Sequence, residues 1–194
     1  MKSVCVYCGS SLGAKPIYAQ AAQRFGRALV EAGYSLVYGG GRVGLMGVIA
    51  DEVLAAGGRV VGVIPELLVS KEVGHGGLTE LHVVPDMHQR KKMMADLSDA
   101  FVALPGGAGT LEELFEVYTW AQLGYHGKAI GIYDIDGYYA PLIRMLEHTV
   151  EEGFMRQTYF NMLQIDSEAG PLIEKLRRYR PPALDKWAAQ RDAV

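Results

Sequence analysis

Cysteine is scarce in this chain, two in 194 residues, at Cys5 and Cys8. So few exclude a disulfide-stapled secreted scaffold and fit a reducing cytoplasm. An excess of positive charge is also missing: 19 Lys and Arg stand against 22 Asp and Glu, a formal net charge of −3. The footprint that a nucleic-acid partner requires is therefore absent. No apolar run approaches the ~20 residues of a membrane span, and the apolar part of the first eight residues is too short for a signal peptide. No GxxxxGK[ST] occurs, which excludes a P-loop ATPase. Proline is ordinary at 8 while glycine reaches 24, well above a usual share of ~7%. Glycine without proline argues against both collagen and a disordered linker. At 49% hydrophobic and mean hydropathy +0.08, the chain can fill one core.

Short β-rich runs alternate with helical stretches. Strands are predicted over residues 3–7, 34–38, 59–64, 80–84, 100–104 and 129–133, with a weaker one at 162–165. Helices are predicted over 16–32, 45–56, 86–97, 111–123, 138–152 and 168–179. That alternation implies right-handed βαβ crossovers, hence a doubly wound, Rossmann-like parallel sheet with helices on both faces. One nucleotide-binding domain over 1–180 and a terminal arm over 181–194 are expected. The stretch 65–79 is the one long irregular connection, a candidate lid or a plain surface excursion. Lys175, Arg177, Arg178 and Arg180 read as a solvated helix face.

The glycines gather just past strand ends: Gly9-Ser10-Ser11-Leu12-Gly13, Gly39-Gly40-Gly41-Arg42-Val43-Gly44 and Pro105-Gly106-Gly107-Ala108-Gly109-Thr110. In an open parallel sheet such loops lie at the carboxyl edge, where ligands bind. Glycine lets backbone N–H groups approach an anion, and the next helix adds its dipole. A phosphorylated ligand is the natural expectation. Two rival patterns deserve weighing. Gly39, Gly41 and Gly44 satisfy GxGxxG, with Glu66 at the distance of a ribose-binding acid, but after the second strand instead of the first. Gly9 to Gly13 matches the GxSxG nucleophile elbow, yet an elbow follows the strands that build its oxyanion hole, so a hydroxyl-bearing turn fits better. The Cys5–Cys8 pair is a CxxC, but positions three apart on a strand face opposite sides, so two buried cysteines are expected instead of redox or metal chemistry.

Two helix starts carry ionisable side chains with a purpose to explain. In Thr110-Leu111-Glu112-Glu113, Thr110 is placed as an N-cap with Glu113 three residues on, a capping box. The competing reading frees Glu113 for chemistry, since an anion already neutralises the helix end. In the stretch from Asp86 to Leu97, Met87, Met94 and Leu97 share a face that also contains Arg90 and Lys91. Inward cations need anionic partners unless both snorkel to water. His88 has no partner at ligand spacing and reads as a surface residue.

Pro105-Gly106-Gly107-Ala108-Gly109-Thr110-Leu111-Glu112-Glu113 is a PGGxGTxxE motif, and Met87-His88-Gln89-Arg90-Lys91 resembles the arginine motif of the Lonely Guy (LOG) family. The likeness continues through Cys8-Gly9-Ser10-Ser11, Tyr38-Gly39-Gly40-Gly41, Gly44-Leu45-Met46-Gly47, Thr119-Trp120-Ala121-Gln122-Leu123-Gly124 and Asp136-Gly137-Tyr138-Tyr139. It spans roughly residues 1–165. Members are cytokinin riboside 5'-monophosphate phosphoribohydrolases, often mislabelled lysine decarboxylases.

The resemblance implies cleavage of the N-glycosidic bond of an adenine-type nucleoside 5'-monophosphate, releasing free base and ribose 5-phosphate. It implies Arg90 and Glu113 as the catalytic pair, and a substrate site of Glu72, Arg90, Lys91, Gly106, Gly107, Ala108, Gly109, Thr110, Leu111, Glu112, Glu113 and Thr119. Ser10, Gly40 and Gly41 are possible additional loop contacts. It implies no metal or other cofactor, a nucleotide of the AMP or isopentenyladenosine monophosphate type, and a homodimer. The helix over 111–123, apolar around much of its circumference, is compatible with burial on more than one side. The alternatives are a nucleotide-binding module without catalysis, an NAD-dependent oxidoreductase and a pyridoxal-phosphate decarboxylase. The last is disfavoured by length and by the lack of a lysine singled out for a Schiff base.

Overall fold

In the computed structural model, residues 1–69 and 74–183 are described. Seven strands form one sheet in the order β4-β3-β2-β1-β5-β6-β7, every neighbouring pair parallel. The strands are β1 (Ser3–Tyr7), β2 (Ser35–Tyr38), β3 (Val60–Pro65), β4 (Glu80–Val84), β5 (Ala100–Ala103), β6 (Ala129–Tyr133) and β7 (Leu163–Asp166). The helices are α1 (Pro16–Glu31), α2 (Gly44–Ala55), α3 (Glu66–Val69), α4 (Met87–Asp96), α5 (Ala108–Gln122), α6 (Ala140–Glu151), α7 (Gln157–Phe160) and α8 (Ala169–Arg178). The doubly wound α/β expectation holds, and the weak last strand is real. The short helices α3 and α7 escape sequence reading because one turn carries no hydrophobic period. A 3-10 turn, Ile135–Gly137, and a left-handed Asp136 delay the helix expected from 138 until Ala140.

Each inner strand is apolar on both faces because both are covered. Val4 and Val6 of β1 pack with Phe25 and Leu29 of α1, Ile49 and Val53 of α2, and Leu172 of α8. Cys5 and Tyr7 face the opposite layer with Met94 of α4, Val117 and Tyr118 of α5, and Leu146 of α6. Cys8 continues the first face, so the two cysteines lie on opposite sides of the sheet, both buried and free. Burial pushes the Cys5 thiol up to about 12 and Cys8 up as well, which makes thiolate chemistry unavailable at neutral pH. The basic residues of α8 are exposed and pair locally, Arg177 with Glu174 and Lys175 with Asp166.

Strand order sets where a ligand can bind. From β1 the chain winds outward to β4, then returns through α4 to place β5 on the other side of β1. The loops after β1 and β5 therefore diverge and leave a crevice at the carboxyl edge. These are the Gly9 and Pro105 loops, joined by the Gly9 N–H donating to the Pro105 carbonyl at 2.9 Å.

Candidate active site

At this edge a cavity of about 420 Å³ is lined by Ser10, Met46, Arg90, the turn 107–110, Glu112 and Glu113. A second, of about 260 Å³, adjoins it on the other side of Gly106 and Gly107 and is walled by Tyr18 and Tyr138. Ser10 and Gly9 line both. Larger hollows elsewhere, about 540 Å³ around Arg178 and about 610 Å³ around Trp120, contain none of the glycine loops. The crevice at the strand switch has the better claim, because it joins backbone donors to buried ionisable groups.

Its floor is the start of α5. Gly107 is the N-cap, in extended conformation, with no side-chain cap. Ala108, Gly109 and Thr110 are thus the first three helical residues, whose N–H groups have no partner within the helix. This corrects the capping box: Thr110 is not the N-cap but the third residue of the helix, and Glu113 lies in the second turn. Thr110 is buried at 4% exposure and folds back over the loop, where a Cβ on Gly106 would lie 2.1 Å from its Oγ1. Glycine at 106 is a steric requirement. Gly107 and Gly109, by contrast, have no atom within 4 Å of a built Cβ.

Glu113 pairs across the cavity with Arg90. Arg90 Nη1 donates to Glu113 Oε1 at 3.2 Å, and both side chains are 12% exposed. The guanidinium is held from behind: Nε donates to the Val63 carbonyl at 3.1 Å and Nη2 to the Gly39 carbonyl at 3.4 Å. The approach leaves no room for a side chain, since a Cβ on Gly39 would lie 1.9 Å from Nη2. Burial pushes the Glu113 carboxyl up to about 7, against the pull of Arg90 and with the repulsion of Glu112 and Glu116 added. A group poised there can hold or release a proton at neutral pH.

Lys91, next on α4, turns to a separate acidic pair, with Nζ 2.5 Å from Glu112 Oε1 and 2.9 Å from Glu116 Oε1. Burial disfavours its charge, but these hydrogen bonds outweigh burial and raise its pKa. A Schiff-base lysine must instead shed its proton, so Lys91 is unsuited to decarboxylase chemistry. Both inward cations of α4 find the anions that they require. The supposed apolar face is mostly not one: Met94 is buried, but Met87 and Leu97 are 42% and 40% exposed. His88 is exposed, as expected.

Some expected residues stand apart from the crevice. Gly40 and Gly41 are buried behind Arg90, Gly40 against Ile64 and Leu81 and Gly41 bridged to Gly74. Leu111 is half-buried and lines neither cavity, and Thr119 is exposed further along α5. Glu72 lies outside the described residues. Gly44, last of the GxGxxG, is pressed against the Ser10 backbone, 2.2 Å from a built Cβ, while Glu66 is exposed at the start of α3. That loop is filled by protein, which counts against a dinucleotide there. The two cavities at the Gly9 turn are lined by no histidine, so Ser10 and Ser11 lack the base of a nucleophile elbow. Sequence reading missed Glu116, although its spacing of four from Glu112 puts both carboxylates on the face that meets Lys91. It also missed Tyr138, whose hydroxyl reaches the Gly106 carbonyl at 2.5 Å.

A family model described as "Possible lysine decarboxylase" matches residues 46–176. The chain belongs to this family, the one called LOG above. The Arabidopsis thaliana cytokinin riboside 5'-monophosphate phosphoribohydrolase LOG7 is 48% identical over 180 residues, 93% of this chain and 83% of that protein. LOG1 of the same plant is also 48% identical, over 93% of this chain and 84% of its own length. Among solved structures, the molybdenum cofactor carrier protein from Chlamydomonas reinhardtii matches with TM-score 0.68 at 18% identity, over 91% of this chain and 96% of that one. At that identity the match speaks for the Rossmann-like fold alone.

Proposed function

We propose that this LOG-family protein hydrolyses the N-glycosidic bond of adenine-type cytokinin nucleoside 5'-monophosphates, releasing free base and ribose 5-phosphate. The observation that carries the reading is the buried Arg90–Glu113 pair in one cavity with the open N-terminus of α5. The N–H groups of Ala108, Gly109 and Thr110 and the helix dipole hold the phosphate. Glu113, one turn further on, faces the ribose.

Cleavage of the bond develops oxocarbenium character at the sugar, which a carboxylate stabilises while it orients and deprotonates water. A Glu113 carboxyl near 7 suits a base that must ionise on demand. A guanidinium keeps its proton, so Arg90 orients the nucleotide and steadies charge on the leaving base or phosphate. Lys91, Glu112 and Glu116 hold α4 against α5 and keep the pair in register. No step calls for a metal or another cofactor.

The functional unit is a cytoplasmic homodimer with its sites near the interface. The family resemblance suggests it, and exposed Phe115 and Leu123 on the α5 flank, with Tyr125 at 78% exposure, support it. Among the described residues, the buried positions of α5, Thr110, Leu114, Val117, Tyr118 and Ala121, share one side of the helix. Thr119 lies toward that exposed flank, so its part in substrate contact would come through the assembly.

Incubation of the pure protein with AMP and with isopentenyladenosine monophosphate should release base and ribose 5-phosphate. Binding of either without base release would make the protein a nucleotide-binding module instead.

A further inference from the structure

The segment between β6 and α6 has no part in the reaction just described, yet it ends on the phosphate loop. Asp136 and Gly137 are both left-handed, with φ of 54° and 68°, and that reversal turns two successive tyrosines back toward the end of β5. Tyr139, 1% exposed, donates from Oη to the Leu104 carbonyl at 2.6 Å. Tyr138 donates from Oη to the Gly106 carbonyl at 2.5 Å. The Gly9 N–H takes the carbonyl between them, that of Pro105. Three consecutive carbonyls, 104 to 106, are each held by a donor from outside the loop.

The Gly106 carbonyl matters most. It shares a peptide plane with the Gly107 N–H, and in a trans peptide the two point in opposite directions; no peptide bond among the described residues is cis. Fixing the carbonyl toward Tyr138 therefore aims the Gly107 N–H away from Tyr138, at the mouth of α5. Without that restraint the plane between two glycines is free to rotate, because neither residue has a side chain to oppose it. Tyr138 is itself braced, edge-on to Tyr139 at 5.0 Å and to Tyr18 at 5.8 Å between ring centroids. Lys15, at the start of α1, pairs with Asp136 at 2.5 Å and holds the turn from outside.

We propose that Tyr138 is a positioning residue that presets the Gly106–Gly107 peptide for the phosphate of the substrate, so that removing its hydroxyl weakens recognition of the phosphate and spares recognition of the base. The inference rests on the reading of the 105–110 loop as the phosphate cradle. It is tested with Tyr138→Phe, which keeps both ring contacts at a position 38% exposed and should leave the thermal midpoint unchanged. Calorimetric titration with ribose 5-phosphate and, separately, with adenine reads the two halves of the ligand without turnover.

The expected result is a dissociation constant for ribose 5-phosphate raised about tenfold, the scale of one hydrogen bond, with adenine binding unchanged. In turnover of AMP, KM rises by a similar factor while kcat stays within about twofold. Equal affinity of wild type and variant for ribose 5-phosphate overturns the proposal and leaves the cradle intact. Equal loss for both fragments also overturns it, since the ring would then support the crevice as a whole. Wild-type protein that binds adenine but not ribose 5-phosphate removes the cradle, and the proposal with it.

Discussion

At the end of β2, a Cβ added to Gly39 would strike the Arg90 guanidinium, whereas at the end of β5, Gly107 and Gly109 have nothing within 4 Å of theirs. Both loops are glycine-rich, both follow inner strands and both precede helices. The first is short of side chains where the protein inserts one of its own, and the second is left open, as the proposed phosphate cradle requires. Glycine clustering thus marks a close approach without saying who approaches. Arg90 joins the two, since it is seated on the Gly39 carbonyl and points its free edge at Glu113.

Several substitutions would break or sharpen this contrast. The largest effect is expected at the open end: Glu113→Gln should lower kcat for base release from AMP by about 10²–10⁴ while the chain still folds. A loss under tenfold would mean that the carboxylate only holds Arg90 in place. The same residue governs a pH effect on stability. Burial raises its folded-state carboxyl to about 7, so its contribution is present below the unfolded carboxylate range and lost as pH rises through 7. Relative to Glu113→Gln, the wild type should lose on the order of 3 kcal/mol between pH 4 and pH 8. Urea denaturation of both proteins across that range checks it, and parallel curves would contradict it. The companion expectation is a kcat/KM profile that rises with pH through about 7, as the Glu113 carboxyl ionises.

At the filled end, Gly39→Ala should cost about 1–3 kcal/mol of stability by overpacking and expel Arg90, with activity falling alongside. Gly107→Ala should leave the denaturation midpoint in place and raise only the KM for the nucleotide. If the two alanines behave alike, the division between a filled and an open loop is wrong. A smaller effect is expected for Arg90→Lys, about 10–100-fold in kcat/KM. One ammonium cannot reach the Val63 and Gly39 carbonyls and Glu113 together. Near-normal steady-state kinetics would leave Arg90 a structural support of the crevice with no part in turnover.

The mismatches between sequence and structure share a cause. Glu113 was legible as a candidate, because an anion at the helix start frees a carboxylate there for chemistry and because it closes the PGGxGTxxE motif, but its position relative to the helix start was not. The capping-box pattern places the start at Thr110; the tertiary structure begins the helix at Ala108, because Thr110 is needed over Gly106 instead of at the cap. The inward cations on α4 announced partners without naming them, since Arg90 and Glu113 are 23 residues apart and no period connects them. Gly40 and Gly41 looked like ligand contacts because a local motif cannot register a guanidinium arriving from another helix.

By itself, the amino-acid sequence determined the alternation of strand and helix, the burial of both sheet faces, the opposite orientation of Cys5 and Cys8, and the family. These follow from local periodicity and short motifs, which are properties of neighbours along the chain. Tertiary structure alone decided which glycine loop stays open, which acid meets which cation, why Glu113 titrates near neutrality, and that Tyr138 reaches the Gly106 carbonyl. Each of these depends on distance in space and on exclusion of water, and neither is written in the order of residues until the sheet has closed around them.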